Sequence, residues 1–429
     1  MNILQVVHQF LPRYVGGTEV YTANLALGLR NQGHAVSVFA GDDAAGVRTW
    51  QGVPVYTVVG GLRGPRGVVG TFLTVFGNSE TSAAFDRTLD ACRPEVVHFH
   101  HLGGLSTDLP ARAAARGIPT LLTLHDYWLT CANAQLLTED GRLCHGPIAG
   151  INCGRCAALR LQLPPLALLA PLAAPAFVLR ERRIRAALAS VGLVLAPSDF
   201  IAGIARRSGV PQERLRRVSF GIRPEEVRPP EGTAAPAPNG DVRLTYLGSL
   251  ARQKGVHVLV EAFQRLGDVP ARLRLYGDPA SYPDYAARLR ELAHGNPRIV
   301  FEGPLPRERL GVVLAATDAL VVPSVWYENA PLVVREAHAA GVPVLASDVG
   351  ALAEMVRHGT DGLLFRCGDA GDLARVLRTL VQEPGILTYL RANIGPVKPQ
   401  EVHIAEMEAL YREALAQGRG AAQRVPSGG

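Results

Sequence analysis

The stretch PSVWYENAPLVVREAHAAGVPVLAS, from Pro323 to Ser347, limits the fold more than any other part of the chain. An apolar, strand-like run beginning at Ala319 ends in VVPS. From Leu332 the pattern LVVREAHAA predicts a helix, stopped by Gly341 and Pro343, and the apolar run PVLAS follows. Asn329 reads as the N-cap and Pro331 as a first-turn residue, where proline is tolerated. A loop that enters a helix in this way presents unpaired N–H groups and the positive end of the helix dipole, which together suit a phosphate. Glu328 stands at the mouth of this turn. Glu336 follows about two turns later on a similar face. A carboxylate there accepts hydrogen bonds from sugar hydroxyls, and a diol such as that of ribose fits it. A surface helix carrying two solvated glutamates has the same spacing.

The surrounding text favours the first reading. The segment resembles the E-x7-E signature of retaining glycosyltransferases of family 4, which have the GT-B fold, and SDVGALAEMVRHGTDGLLF looks like its usual continuation. The resemblance extends over nearly the whole chain. It implies an α/β protein with two Rossmann-like, doubly wound domains facing a cleft. The first would bind a glycan or polyprenyl-linked acceptor and the second a nucleoside-diphosphate sugar.

Composition agrees with such a protein. A chain of 429 residues is too long for one ordinary core, so two domains are expected. Hydrophobic residues make up 48% and charged residues 19%, as in a globular chain. The net charge of +6 comes from scattered or short basic clusters without an RNA- or DNA-binding motif. An anionic lipid surface or a nucleotide sugar accounts for it, and no nucleic-acid partner is expected. MNILQVVHQF begins directly as a strand with no signal-peptide pattern, so a cytoplasmic location with reduced cysteines is expected.

Within the expected N-terminal domain, residues 1–222, a strand over Asn2–His8 leads into VGGTEVYTANLALGLRN. Gly16 and Gly17 break the chain before a helix from about Glu19 to Asn31, and glycines there let backbone approach a ligand. The resemblance places this GG-x-E loop at the donor phosphate or acceptor; a plain tight turn is the other reading. VPVYTVV is a third strand, followed by a flexible stretch with Arg63 and Arg66. PEVVHFHHL is a strand whose alternation puts His98 and His100 on one face. With His101 they make a histidine-rich strand end, better suited to the cleft edge or core than to a metal. IPTLLTLHD ends in His125 and Asp126, where open α/β sheets bind ligands. By resemblance His125 lines the cleft beside the donor sugar, with Asp126 as its partner.

Cys131, Cys144, Cys153 and Cys156 cluster in the loop 131–156. Four thiolates can close a structural zinc site, although the spacing of the first two is irregular. Buried thiols and redox chemistry are the alternatives. The segment 161–185 is apolar from Leu161 to Leu179, about long enough to span a bilayer, but four prolines break it, so a straight transmembrane helix is not expected. With Arg180, Arg182, Arg183 and Arg185 behind it, this segment suits shallow insertion at the inner face of the cell membrane. A helical pair packed inside the domain is the rival reading.

Residues 223–240 read as a linker and 241–398 as the second domain. A helix over 399–417 crosses back to the first, and a disordered tail, 418–429, ends the chain. The text YLGSLARQKG resembles the family pattern G-[RS]-L-x3-K-G, whose basic residues hold the donor diphosphate. Lys254 matches its lysine, Ser249 stands where many relatives have arginine, and Arg252 is near enough to substitute. RVSFGIRPEE departs from the family's N-G-I-D-like turn, because Phe220 replaces the asparagine. Donor contacts are therefore expected from Gly16, Gly17, Ser249, Arg252, Lys254, Asn329, Ala330, Pro331, Leu332 and Glu336. His125 and Glu328 are the expected catalytic residues. No D-x-D occurs, so no metal or other cofactor is expected in catalysis. A sugar-nucleotide epimerase of the same fold and a non-catalytic sugar-nucleotide-binding protein remain as alternatives.

Overall fold

The computed structural model describes residues 1–62, 66–228, 240–383 and 385–422. Arg63, residues 229–239 of the expected linker and residues 423–429 of the expected tail lie outside them.

The first part of the chain forms β1 (Asn2–Val7), α1 (Gly17–Asn31), β2 (Ala35–Asp42), β3 (Gly46–Trp50), β4 (Val53–Val59), α2 (Gly67–Leu73) and α3 (Ser79–Cys92). It continues with β5 (Val96–Phe99), α4 (Leu109–Ala115), β6 (Thr120–Thr123), α5 (Ile151–Arg160), α6 (Ala170–Ala189), β7 (Leu193–Ala196), α7 (Asp199–Arg207) and β8 (Leu215–Arg217). Then come α8 (Pro224–Val227), β9 (Val242–Leu247), α9 (Val256–Gln264), β10 (Ala271–Tyr276), α10 (Pro283–Ala293), β11 (Ile299–Gly303) and α11 (Leu310–Ala315). β12 (Ala319–Val322), α12 (Leu332–Ala339), β13 (Val344–Ser347), α13 (Leu352–Met355) and β14 (Gly362–Phe365) follow. α14 (Ala370–Gln382), α15 (Ile386–Ala392) and α16 (Gln400–Ala422) close the chain.

These elements form two units. One comprises Met1–Glu139, His145–Ser219 and Gln400–Gly429; the other comprises Asp140–Cys144 and Phe220–Pro399. Among the described residues the first unit holds a sheet in the order β3-β4-β2-β1-β5-β6-β7-β8, parallel except for the edge pair β3–β4. The second holds an all-parallel sheet in the order β11-β10-β9-β12-β13-β14. Parallel sheets are covered on both faces, and their strands read as unbroken apolar runs. β5 (VVHF), β12 (ALVV) and β13 (VLAS) are buried at every position. In both sheets the strand order reverses beside the first strand, between β1 and β5 and between β9 and β12. The loops that leave the carboxyl ends of strands at such a reversal are where open α/β sheets hold ligands.

Several boundaries differ from expectation. β3 was absent from the sequence reading; it pairs antiparallel with β4 through the turn at Gln51-Gly52, where both residues have positive φ. Residues 224–227 are a helical turn of the second unit rather than linker, because Val227 is buried and Glu226 is bound by Arg223 and Arg307. α16 runs on to Ala422, past the expected start of a disordered tail.

Candidate functional site

In the second unit the site is built by two loops at the β9/β12 reversal. After β12, Val325 N–H donates to Gln253 C=O at 2.9 Å, which ties the loop of Glu328 to the turn carrying Lys254. Gly255 makes that approach possible. Its φ is +68°, and a side chain there would collide with the Pro323 carbonyl oxygen. The result is a 2.8 Å ion pair between Lys254 Nζ and Glu328 Oε1, the same oxygen that accepts from Ser324 Oγ at 2.6 Å. Burial would raise the Glu328 carboxyl, but the Lys254 charge and hydrogen bond and the Ser324 hydroxyl outweigh it and hold the group below its usual range. Lys254 Nζ also lies 5.2 Å from the centre of the Trp326 ring.

The helix start is different from the expected one. Pro331, not Asn329, occupies the cap of α12, in an extended conformation and with no side-chain cap bond. The N–H groups of Leu332 and Val333 therefore begin the helix without a capping side chain, at the positive end of its dipole. Glu336 is buried on α12, and Arg307 Nη1 holds Oε1 at 2.6 Å. Arg307 also binds Glu226, so the second glutamate of the pair sits in a carboxylate–guanidinium–carboxylate group. Ser249 and Arg252 are exposed on the β9–α9 loop, and Ala330 is buried. Sequence reasoning missed Arg307 and Ser324. Arg307 lies in PLPRERL with no local signal, whereas Ser324 ends the VVPS run directly before the signature.

In the first unit the corresponding reversal carries a histidine cluster. His8 follows β1, His100 and His101 follow β5, and His125 follows β6. Gly16 caps α1 in extended backbone, and a Cβ there would meet Glu19 Oε2 at 2.6 Å, so glycine leaves room for the Glu19 carboxylate to turn inward. That carboxylate lies 3.1 Å from His8 Nε2, and both residues are buried. Gly17 is exposed at the start of α1.

His101 forms a second pair of this kind. Gly103 N–H donates to its Nδ1 at 2.9 Å, so the ring proton sits on Nε2, which donates to Asp126 Oδ2 at 2.8 Å. The expected His125–Asp126 partnership is thus replaced: Asp126 serves His101, and His125 Nε2 lies 3.1 Å from His100 Nδ1. His100 Nε2 reaches Gln5 Oε1 at 2.5 Å, and Gln5 Nε2 donates to the Tyr411 hydroxyl of α16 at 3.2 Å. Tyr411 in turn lies 2.8 Å from His98 Nδ1. Burial pushes His98 and His100 well below the ordinary imidazole range, and it pushes His125 down to about 3 against the opposing pull of Asp126. These three imidazoles are therefore neutral donor–acceptor groups near pH 7, suited to hydroxyls; beside them burial would raise the Glu19 and Asp126 carboxyls, but His8 and His101 outweigh it and hold both below the usual range. Tyr411 could not be read from the sequence, because it is 313 residues away from its partner His98.

The cysteines do not gather as expected. Among the described residues no group of three or more His, Cys, Asp or Glu is placed to hold a metal ion. Cys144 belongs to the second unit and Cys131, Cys153 and Cys156 to the first. Cys156 Sγ accepts from Arg160 Nε at 3.4 Å, and burial outweighs that cation and raises its thiol. As placed, the four thiols do not form a four-thiolate site.

Known proteins resemble this chain along most of its length. The family model described as Glycosyltransferase Family 4 matches residues 15–226, and that described as Glycosyl transferases group 1 matches residues 241–383. D-inositol 3-phosphate glycosyltransferase 1 of Catenulispora acidiphila is 30% identical over 346 residues, covering 76% of this chain and 74% of that protein. Sucrose-phosphate synthase from Thermosynechococcus elongatus superposes with a TM-score of 0.73 at 22% identity, over 97% of this chain and 99% of its own. The Anabaena protein HepE in complex with UDP-glucose gives 0.62 at 17% identity, over 97% and 99%. At such identities the two structures speak for the fold alone. The chain belongs to the GT-B glycosyltransferases, joining a family 4 domain to a group 1 domain.

Proposed function

We propose that this enzyme moves a sugar from a nucleoside-diphosphate sugar to a hydroxyl of a glycan or lipid-linked acceptor, with retention of anomeric configuration, as a family 4 hexosyltransferase. The Lys254–Glu328 pair carries the reading. It sits beside a helix start without a capping side chain, at the strand reversal of the second unit. In this reading Lys254, Arg252 and the N–H groups of Leu332 and Val333 take the donor diphosphate and stabilise the charge that grows on it as the glycosidic bond breaks. Ser249, Asn329, Ala330 and Pro331 shape the same loop pair. Gly16 and Gly17 give the donor or acceptor access to backbone. Glu336, fixed by Arg307, accepts from donor hydroxyls, and Glu328 holds Lys254 in place and receives the transferred sugar's hydroxyls.

The histidine cluster suits the acceptor side. His125 carries no charge near pH 7, so it acts as a hydrogen-bonding group rather than as a cation. Attack from the face that the leaving group departs, with the donor phosphate taking the acceptor proton, preserves configuration without an enzyme nucleophile. The UDP-glucose named in the HepE complex makes a uridine donor the first to try. The inositol-phosphate relative makes a cyclitol a second acceptor class, beside the lipid-linked glycan of cell-surface polysaccharide assembly with contact at the inner membrane face.

Incubation with UDP-glucose, with and without acceptor, tests the proposal. Acceptor-dependent release of UDP with an α-linked product by NMR is expected. An isomerised sugar nucleotide formed without any acceptor would establish the epimerase instead.

A further inference from the structure

Among the described residues no helix is long and apolar enough to cross a membrane. Yet the first unit leaves a large apolar surface uncovered. α6 docks through a narrow stripe at Ala170, Ala174, Arg180, Ile184, Ala187 and Leu188. On a helix facing water the remaining positions should be polar. In the first half of α6 they are Pro171, Leu172, Ala173, Pro175 and Ala176, all exposed, with Leu172 at 78%. The turn before it, Pro164–Leu169, adds Leu168 at 86% and Leu169 at 51%. α2 joins the same region: Phe72 packs on Phe177 of α6 with ring centres 5.3 Å apart, while its neighbours Val68, Val69 and Leu73 are exposed. Scattered exposed leucines need no explanation, but a contiguous patch on three adjoining elements does.

The charge around the patch selects its partner. From Gly141 to Arg180 the chain has no Asp or Glu, and none occurs from Ala44 to Ser79. At the chain's average of 38 acids in 429 residues, a stretch as long as either carries roughly three or four. Basic residues are retained in both stretches: Arg48, Arg63, Arg66, Arg142, Arg155, Arg160 and Arg180, of which Arg48, Arg66 and Arg142 pair with Asp42, Glu80 and Asp140 just beyond the stretches. Arg180 is not at the surface, contrary to the sequence reading. It is buried under the Trp128 ring and donates to the Trp128 carbonyl. The surface cations of α6 are Arg182, Arg183 and Arg185, the last paired with Glu181 at 2.6 Å, and they begin about 15 Å along the helix from Leu172. An apolar tip followed by arginines one headgroup depth behind it matches the profile of an anionic bilayer surface. A second copy of the chain would instead bring like charges together.

We propose that α2, the turn 164–169 and the first half of α6 form a tip that inserts into the anionic membrane interface. The helix enters end-on and does not lie flat as an amphipathic helix would. This deepens the membrane-side reading of the acceptor and rests on it for purpose, not for the binding itself.

The test is co-flotation of the full chain with phosphatidylcholine vesicles, with and without about 30% phosphatidylglycerol. The wild type should float with the anionic vesicles at least tenfold more than with the neutral ones. Leu168→Asp/Leu172→Asp should lose at least tenfold, and Val69→Asp on the separate helix α2 should also fall, with melting temperatures unchanged because these side chains face water. Absence of flotation, flotation unaltered by either variant, or a dimer in sedimentation that Leu168→Asp/Leu172→Asp dissociates would each overturn the tip. Failure to float with UDP-sugar binding intact overturns the tip alone. Flotation without UDP-sugar binding upholds the tip and strikes the transferase reading.

Discussion

The two sheets reverse strand order at the same topological place, and the chemistry placed there differs. The β9/β12 reversal holds charges in pairs: Lys254 with Glu328, and Arg307 between Glu336 and Glu226. The β1/β5 reversal holds imidazoles that burial keeps neutral, His98 and His100 among them, tied to one another, to Gln5 and to Tyr411, with the carboxylates of Glu19 and Asp126 on His8 and His101 and, among the described residues, no lysine or arginine pairing them. One fold class thus offers a ready-made ligand position and leaves its chemistry to the loops. The end with the lysine and the helix start can hold a diphosphate and its growing charge; the histidine end, with the Glu19 and Asp126 carboxylates, can orient hydroxyls through imidazoles that stay neutral near pH 7.

The sharpest way to separate the two ends is pH. Neutral histidines in the fold with an ordinary value of 6.5 when unfolded bind fewer protons folded than unfolded. Their contribution is complete above about pH 6.5 and is lost as pH falls below it, at about 1.4 kcal/mol per pH unit for each such histidine. With His98, His100 and His125 behaving alike, the first unit should lose up to about 4 kcal/mol per pH unit below that point. Glu328 works at another pH. Its folded carboxyl is lowered from 4.5, so its contribution is present above that value and disappears only as pH falls through the lower folded one. Tryptophan and far-UV melts from pH 7.5 to 4 should show the first unit failing first. A single transition whose stability is flat from pH 7 to 5 would break the comparison.

Lys254→Ala comes next. It leaves the buried Glu328 carboxylate without its cation, and because the lysine is itself 27% exposed the cost falls at the low end of the buried-pair range, about 3 kcal/mol. kcat/KM for the donor should fall at least a hundredfold with it. Urea melts and steady-state kinetics check both figures.

Glu336→Gln should cost less in stability, about 1 kcal/mol, because Arg307 is half exposed and keeps Glu226. Its larger effect belongs in donor KM. Tyr411→Phe is the smallest, about 1 kcal/mol or less for the hydroxyl shared by Gln5 and His98. Because that hydroxyl sets the hydrogen-bond order of the histidines, its kinetic signature should be a changed pH profile with the donor KM unaltered.

The two ends were also unequally legible in the sequence. Lys254, Gly255, Glu328 and Glu336 lie in short segments whose spacing carries meaning, so the charged end could be read in advance. What could not be read were the partners: Arg307 for Glu336, and the switch of Asp126 from His125 to His101. Such pairs join loops from different strands, and no local period encodes them. The cap of α12 was misread for a related reason. Asn329 has the right residue type, but Pro331 has the extended backbone a cap requires, and type without backbone geometry does not settle a cap. β3 escaped because its edge strand is largely exposed and its turn places Gln51, a non-glycine, at φ 45°.

The most direct test of the central claim is the thermal shift produced by UDP-glucose, with GDP- and ADP-glucose as comparisons, on wild type, Lys254→Ala and His125→Ala. Ligand at a hundredfold excess over Kd stabilises the native state by about 2.7 kcal/mol. The account predicts a shift with one of the three nucleotides, abolished in Lys254→Ala and retained in His125→Ala, because the end that carries Lys254 holds the diphosphate and the histidine end does not. A shift retained in Lys254→Ala and lost in His125→Ala would contradict it.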